Sequence, residues 1–196
     1  LLQVGQTDEG VHDAPHGAEQ ADVRAHRAHR CQESEVALDD VELALELGYT
    51  SLAVRSMFGT NNGIAGQVLV GFGTDGQKTR WLESMAAGEV VASFALTEPG
   101  AGSNPSGLRT KAVRDGDNWI VNGQKVWTSG AHYCDYGILL VRTNPEKEKH
   151  KGLTMFVVNM KAPGVEVRPI HQMSGGSNFN EVYFTDVRIS DSERLG

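Results

Sequence analysis

The feature that most constrains this chain is a change of hydrophobic period at Gly88. Before it, apolar residues recur at helical spacing. From Ser34, SEVALDDVELALELGY places Leu38, Val41 and Leu45 at i, i+3 and i+7, one apolar stripe, with Gly48 where a helix would end. SLAVRSMF reads as a second helical stretch and NNGIAGQVLV as a third, with Asn61 and Asn62 as candidate N-caps. Thr74 followed by Gln77 makes a capping box for KTRWLESMAAG, whose Trp81, Leu82, Met85 and Ala86 lead to a terminating Gly88. After Gly88 come EVVASFALT, LRTKAVRDG, DNWIVNGQKVWTSG, YGILLVRT, LTMFVVNM, VEVRPI and EVYFTDVRI. All are short, rich in β-branched and aromatic residues, and bounded by Gly, Asn, Asp or Pro. Helices followed by about seven strands predict an α+β chain: an N-terminal α-helical segment, then a β-barrel or sandwich. DGDN between Arg114 and Trp119 is the expected hairpin turn, and NPEKEKHK, residues 144–151, a solvated loop.

The stretch GFGTDG fits G-x-G-x-x-G with Gly71, Gly73 and Gly76, and Glu98 follows 22 positions after the last glycine, the written form of a dinucleotide fingerprint for an NAD-dependent oxidoreductase. That fingerprint needs a buried strand before it. QVLVGF is short, merges into a helical pattern, and Asp75 would put an anion where a pyrophosphate should lie. The glycines read better as helix punctuation.

A net charge of −7, with Lys and Arg scattered, gives no footprint for nucleic acid. The longest apolar runs fall far short of the ~20 residues of a membrane span, and no basic segment followed by an apolar one marks secretion. The expected compartment is therefore reducing: bacterial cytoplasm, or mitochondrial matrix in a eukaryote. Cys31 and Cys134 form neither a disulfide framework nor a metal spacing and read as free thiols. Residues 1–35 carry no readable periodicity. His26, Arg27, His29 and Arg30 resemble a metal or phosphate cluster but have no scaffold around them, and the tract reads as disordered or translated out of frame.

Two segments look chemical: FALTEPGAGSNPSG, residues 94–107, and GQKVWTSGAH, residues 123–132. In the first, the backbone of Ala95, Leu96 and Thr97 can align with a planar ring and the Thr97 hydroxyl can hydrogen-bond a ring heteroatom. Pro99 then fixes a bend, and Gly100 and Gly102 allow close backbone approach, leaving the Ser103 hydroxyl free. In the second, Trp127 and Ser129 are two residues apart on a strand and project from one face, with Thr128 between them. His132 and Cys134 read as packing residues rather than an acid–base or nucleophile pair.

T-E-P-x-A-G-S followed by K-x-W-x-[ST]-G, with the closing NFNEVYFTDVRI (residues 178–189), resembles the acyl-CoA dehydrogenase family of flavoenzymes over roughly residues 36–196. The resemblance implies the rest of an N-terminal α-helical domain over 36–90 and the middle β-domain over 91–196. It implies FAD as cofactor, contacted by Phe94, Ala95, Leu96, Thr97, Gly102, Ser103, Trp127, Thr128 and Ser129, with Ser103 also meeting the acyl-CoA substrate. The implied reaction is α,β-dehydrogenation of an acyl-CoA thioester in an oligomer, with an electron-transfer flavoprotein or similar acceptor as partner. By the same resemblance Glu98 serves the cofactor loop, and the catalytic glutamate belongs with a helical domain beyond Gly196. A chain without that domain is expected to bind FAD poorly and to be inactive alone, and a noncatalytic, partner-dependent remnant is the alternative. Asn104 departs from the family's usual Asp after the serine.

Overall fold

The apolar run YGILLVR is buried along both of its faces, and that decides the architecture. The structure, a computed structural model, describes Asp39, residues 41–51, Val54, Ser56 and residues 58–196; the chain divides into two compact units, Leu1–Arg55 and Ser56–Gly196. In the first unit residues 41–50 are helical (α1). The helix runs through Gly48 instead of ending there, and Val41 and Leu45 of the expected stripe are exposed. An interior Gly costs only about 1 kcal/mol against Ala, and the closing interaction comes two residues later, where the Thr50 hydroxyl donates to Leu47 O at 2.7 Å. Leu38, the His-rich tract, Cys31 and parts of SLAVRSMF lie outside the described residues.

In the second unit a π-helical segment, Gly59–Gly66, runs directly into α2, Gln67–Phe72. Asn61 and Asn62 are therefore inside a helix and do not cap its start. Asn61 satisfies a strand instead: its Oδ1 accepts the Ala92 amide at 2.9 Å, the first residue of β1. Helix α3, Asp75–Ala86, begins on the expected capping box, Thr74 and Gln77 each accepting the other's backbone N–H. It ends at Gly88, whose φ of +73° closes the last turn. Gln77 also donates to Ser192 O and Arg194 O, at 2.8 and 2.9 Å, so the cap ties the helix to the chain's last strand. Thr74→Ala is expected to cost about 1 kcal/mol, read as a lowered midpoint in urea unfolding. The segment before GFGTDG is helix, with Gly71 in α2 and Gly76 in α3, so the strand–turn–helix of a dinucleotide fingerprint is not formed and the NAD reading falls.

The strands are β1 Ala92–Ala95, β2 Lys111–Asp115, β3 Asn118–Ser129, β4 Tyr136–Arg142, β5 Leu153–Asn159, β6 Val165–Ile170, β7 Phe179–Ser190 and β8 Arg194–Leu195. The first seven are those the alternation marks out; β8, two residues long, is too short to show a period. They form one sheet in the order β6-β7-β3-β2-β4-β5-β8, with β1 parallel to β4 along Tyr136–Leu139. The DGDN turn is the two-residue loop between β2 and β3, with Gly116 at φ +61°.

Ile138 of β4 and Val157 of β5 face the helices, packing with Leu69, Trp81 and Met85. Leu139, Val141, Phe156 and Val158 face the other way and join Val121, Val182, Phe184, Val187 and Ile189 from β3 and β7. Trp119 of β3 meets Phe156 of β5 with ring centroids 5.5 Å apart, although two strands lie between them in the sheet order. The sheet thus curls over its own core in the manner of a barrel while its end strands, β6 and β8, stay unpaired with each other. A strand buried by helices outside and by the curled sheet inside must be apolar in succession, as ILLV is.

Candidate functional site

The two chemical segments meet where β1 runs out. The amide of Val126 donates to Thr97 O at 2.8 Å, which sets the end of FALT beside the WTS of β3. There β3 carries a bulge. It pairs with β7 as Lys125↔Val182 and Thr128↔Asn180, so Val126 and Trp127 together face the single residue Glu181. Trp127 takes φ +61°, a left-handed conformation that residues with a bulky side chain rarely adopt. Bulges re-aim side chains, often beside active sites, and here the result is a Trp127 left 56% exposed, its ring meeting Phe179 edge-on at 6.1 Å between centroids. Past the bulge Ser129 is half-buried, while Thr128 points inward at 1% exposure.

Beneath this surface lies an ion pair. Lys125 Nζ donates to Glu98 Oε1 at 2.9 Å and to Leu96 O at 3.0 Å, with the two side chains 0% and 5% exposed. The Glu98 carboxylate also accepts the amides of Arg109, 2.7 Å, and Thr110, 2.9 Å. Burial pushes its carboxyl up, but the hydrogen bonds from Thr110, Arg109 and Lys125, together with the Lys125 charge, outweigh burial and hold it below the usual carboxylate range. Burial pulls Lys125 below the usual lysine range against the opposing pull of Glu98. Glu98 and Ala101 exchange both backbone hydrogen bonds, at 3.0 and 3.1 Å, closing the Pro99–Gly100 turn. One carboxylate therefore fixes the TEPGAG turn, the start of β2 and the K-x-W strand together.

Of the expected cofactor contacts, Phe94, Leu96 and Thr97 are half-buried, and Gly102 and Ser103 lie exposed on the loop. Ala95 has its side chain in the core, so it can meet a ligand only through its backbone. Asn104 accepts the Ser106 amide at 3.2 Å and starts a short 3-10 turn, Pro105–Gly107, as an aspartate there would. Three supporting residues carried no role in the sequence reading. Arg142 grips this loop through Ser106 O at 2.7 Å and Leu108 O at 3.2 Å. Asn180, fully buried, donates to Thr128 O at 3.0 Å and to Asn178 O at 3.3 Å, bracing the strand past the bulge. Lys125 is the third, and its signal was present: Val121, Gly123 and Lys125 share the inward phase of β3, which forces a charged side chain to find a partner inside. His132 is exposed, not packed; its ring meets Tyr133 edge-on and its Nδ1 lies 3.2 Å from Asn180 Oδ1. Because Asn180 Nδ2 is committed as a donor, that Oδ1 must accept, so His132 Nδ1 carries the proton. Cys134 is a buried free thiol that burial pushes up to about 11, too high for a nucleophile near neutral pH.

The donors around the bulge suit a planar, electron-accepting ring. Among the described residues, the Thr97 N–H and hydroxyl and the Ser129 hydroxyl have no partner within the chain. The Thr128 hydroxyl is buried with no partner at all. Those residues also hold no metal-binding cluster of His, Cys, Asp or Glu, and no helix long and apolar enough to cross a membrane.

Residues 93–187 match the acyl-CoA dehydrogenase middle domain and residues 32–89 the acyl-CoA dehydrogenase N-terminal domain. The chain belongs to the acyl-CoA dehydrogenase family, whose members depend on FAD. Acyl-CoA dehydrogenase FadE26 of Mycobacterium tuberculosis is 44% identical over 142 residues, covering 71% of this chain and 35% of that protein. A glutaryl-CoA dehydrogenase of Mycobacterium smegmatis, solved in complex with FADH2, superposes with a TM-score of 0.69 at 31% identity over 77% of this chain and 38% of its own. The Tcur3481-Tcur3483 steroid ACAD gives 0.67 at 38% identity, over 71% and 36%. The chain spans about a third or less of the length of the curated relatives it matches first.

Proposed function

We propose that this chain forms the FAD-holding middle of an enzyme that takes hydrogen from the α and β carbons of an acyl-CoA thioester. The observation that carries the reading is the bulge at Trp127, which exposes an indole beside unused donors on Thr97 and Ser129. When bound, FAD supplies the hydride acceptor. The chain's part would be to orient it: Thr97 would offer an N–H and an O–H to the end of the ring where charge accumulates on reduction, Trp127 would cover the ring, and the Ser129 hydroxyl would supply a further donor to it. Phe94, Ala95 and Leu96 would supply backbone groups to hold the ring, and Gly102 and Ser103 would hold the rest of the cofactor, with Ser103 also meeting the acyl-CoA.

Glu98 is not the base that removes the α proton. Both its oxygens accept hydrogen bonds, and its carboxyl sits below the usual range, the reverse of what a general base near neutral pH needs. An electron-transfer flavoprotein as electron acceptor, assembly into an oligomer and a reducing compartment, cytoplasm or mitochondrial matrix, complete the reading; the free Cys134 thiol suits that compartment.

Titration of the full chain with FAD, followed by flavin fluorescence, tests the site. Weak but saturable quenching is expected, in keeping with the poor binding expected of this chain by itself, and it should weaken a further three- to tenfold, roughly, in Thr97→Val and in Ser129→Ala, each of which removes one neutral hydrogen bond. Absence of saturable binding, or binding indifferent to both substitutions, would sink the reading.

A further inference from the structure

The second contact of Lys125 has electronic consequences. Its ammonium is fully buried and divides itself between Glu98 Oε1 at 2.9 Å and Leu96 O at 3.0 Å. The Leu96 carbonyl and the Thr97 N–H are two ends of one peptide group, joined by amide resonance. A cation on the oxygen draws electron density through that resonance and makes the N–H a stronger donor, an effect enlarged where the dielectric is low. Among the described residues the Thr97 N–H is given to no acceptor, and it lies at the junction of the two cofactor segments, on the same residue whose carbonyl accepts the Val126 amide. The Glu98 carboxylate accepts from the same ammonium at 2.9 Å and cancels part of its charge.

We infer that Lys125 and Glu98 set the electron affinity of the flavin held at this site, Lys125 through the Leu96–Thr97 peptide and Glu98 by limiting how much of the Lys125 charge is felt there. The inference rests on the FAD reading above. A flavin gains negative charge at its pyrimidine end on reduction, so a strengthened donor there favours the reduced form. Lys125 makes no direct contact with the ring in this account; it acts through a peptide group, and Glu98 acts through Lys125.

The rival account is a simple staple, since the pair also ties the TEPGAG turn to β3. The two differ in sign. Cutting a staple from either end loosens the same site and moves any flavin property in one direction. Removing opposite charges from a charge pair moves the potential in opposite directions.

The experiment measures the two-electron potential of FAD bound to the full chain, by equilibration with reference dyes. Lys125→Met is expected to disfavour reduced flavin about tenfold and Glu98→Gln to favour it about tenfold, each a shift of about 30 mV; the double variant should return toward wild type. Shifts of the same sign in both single variants, or none in either, would overturn the inference. Should Lys125→Met not fold, Glu98→Gln decides alone, because the staple account gives it no reason to raise the potential: a rise supports the inference, and no change or a fall ends it. If the wild-type chain binds no FAD, the site reading fails first and takes this one with it. Normal FAD binding with unshifted variants removes only the charge mechanism.

Discussion

Lys125→Met will lower the unfolding free energy of the chain by roughly 3–5 kcal/mol, the usual penalty for stripping one partner from a buried ion pair. The size follows from what is left behind. The Glu98 side chain is only 5% exposed, and although it keeps the amides of Arg109 and Thr110 it loses the one buried countercharge it has among the described residues. Leu96 O loses a donor as well. Against a typical domain stability of about 5–15 kcal/mol, this is a large fraction of the total. Combining it with Glu98→Gln leaves no buried charge, and much of the loss should return. Acid titration adds a sign. The folded-state pKa of Glu98 lies below its ordinary value of 4.5, so its contribution is complete above about pH 4.5 and is lost as pH falls through the lower folded value. Glu98→Gln should therefore flatten the acid limb of the stability–pH curve. Urea unfolding at several pH values measures both effects, and a Lys125→Met chain within 1 kcal/mol of wild type (a threshold small beside the expected loss) would show that water already reaches the pair.

The helix-then-strand order of the second unit could be read from the sequence because it rests on patterns repeated over many residues. Alternation located all seven longer strands, and the Thr74–Gln77 box located the start of α3. The misses come from single residues whose role depends on distant chain. Asn61 resembles an N-cap locally, yet the donor it serves belongs to Ala92, 31 residues away. Gly48 resembles a terminator, but a helix accepts a glycine when nothing else ends it there. The site divides in the same way. Its surface donors, Thr97 and Ser129, follow from motif and strand parity, while the bulge that exposes Trp127 is invisible in sequence because it depends on one unmatched residue against Glu181. Lys125 stood inside a recognised motif and on an inward phase of β3. Pairing it with Glu98 requires knowing that β1 ends against β3, which no local period reports.

Replacing Trp127 separates the cost of the bulge from its use. A residue with a Cβ held at φ +61° loses roughly 1–2 kcal/mol that glycine does not. At an ordinary strand position alanine is the more stable of the two by about 0.5–1 kcal/mol. At position 127 the order should invert, Trp127→Gly exceeding Trp127→Ala by about 1 kcal/mol in urea unfolding, because both lose the same edge contact with Phe179 and only the backbone preference differs. Flavin affinity should ignore that difference. Stacking of a flat heterocycle on an aromatic side chain is worth about 1–3 kcal/mol, so both variants should bind FAD roughly ten- to a hundredfold more weakly, with Trp127→Phe retaining most of the affinity. A glycine variant that is both more stable than alanine and equally poor at holding flavin would mean that the strained backbone exists to aim the ring. If alanine proved the more stable, the left-handed conformation would not be that of the folded chain in solution. If affinity survived in both small variants, the indole would not be the flavin's wall, and the exposed ring would have to be assigned to another surface.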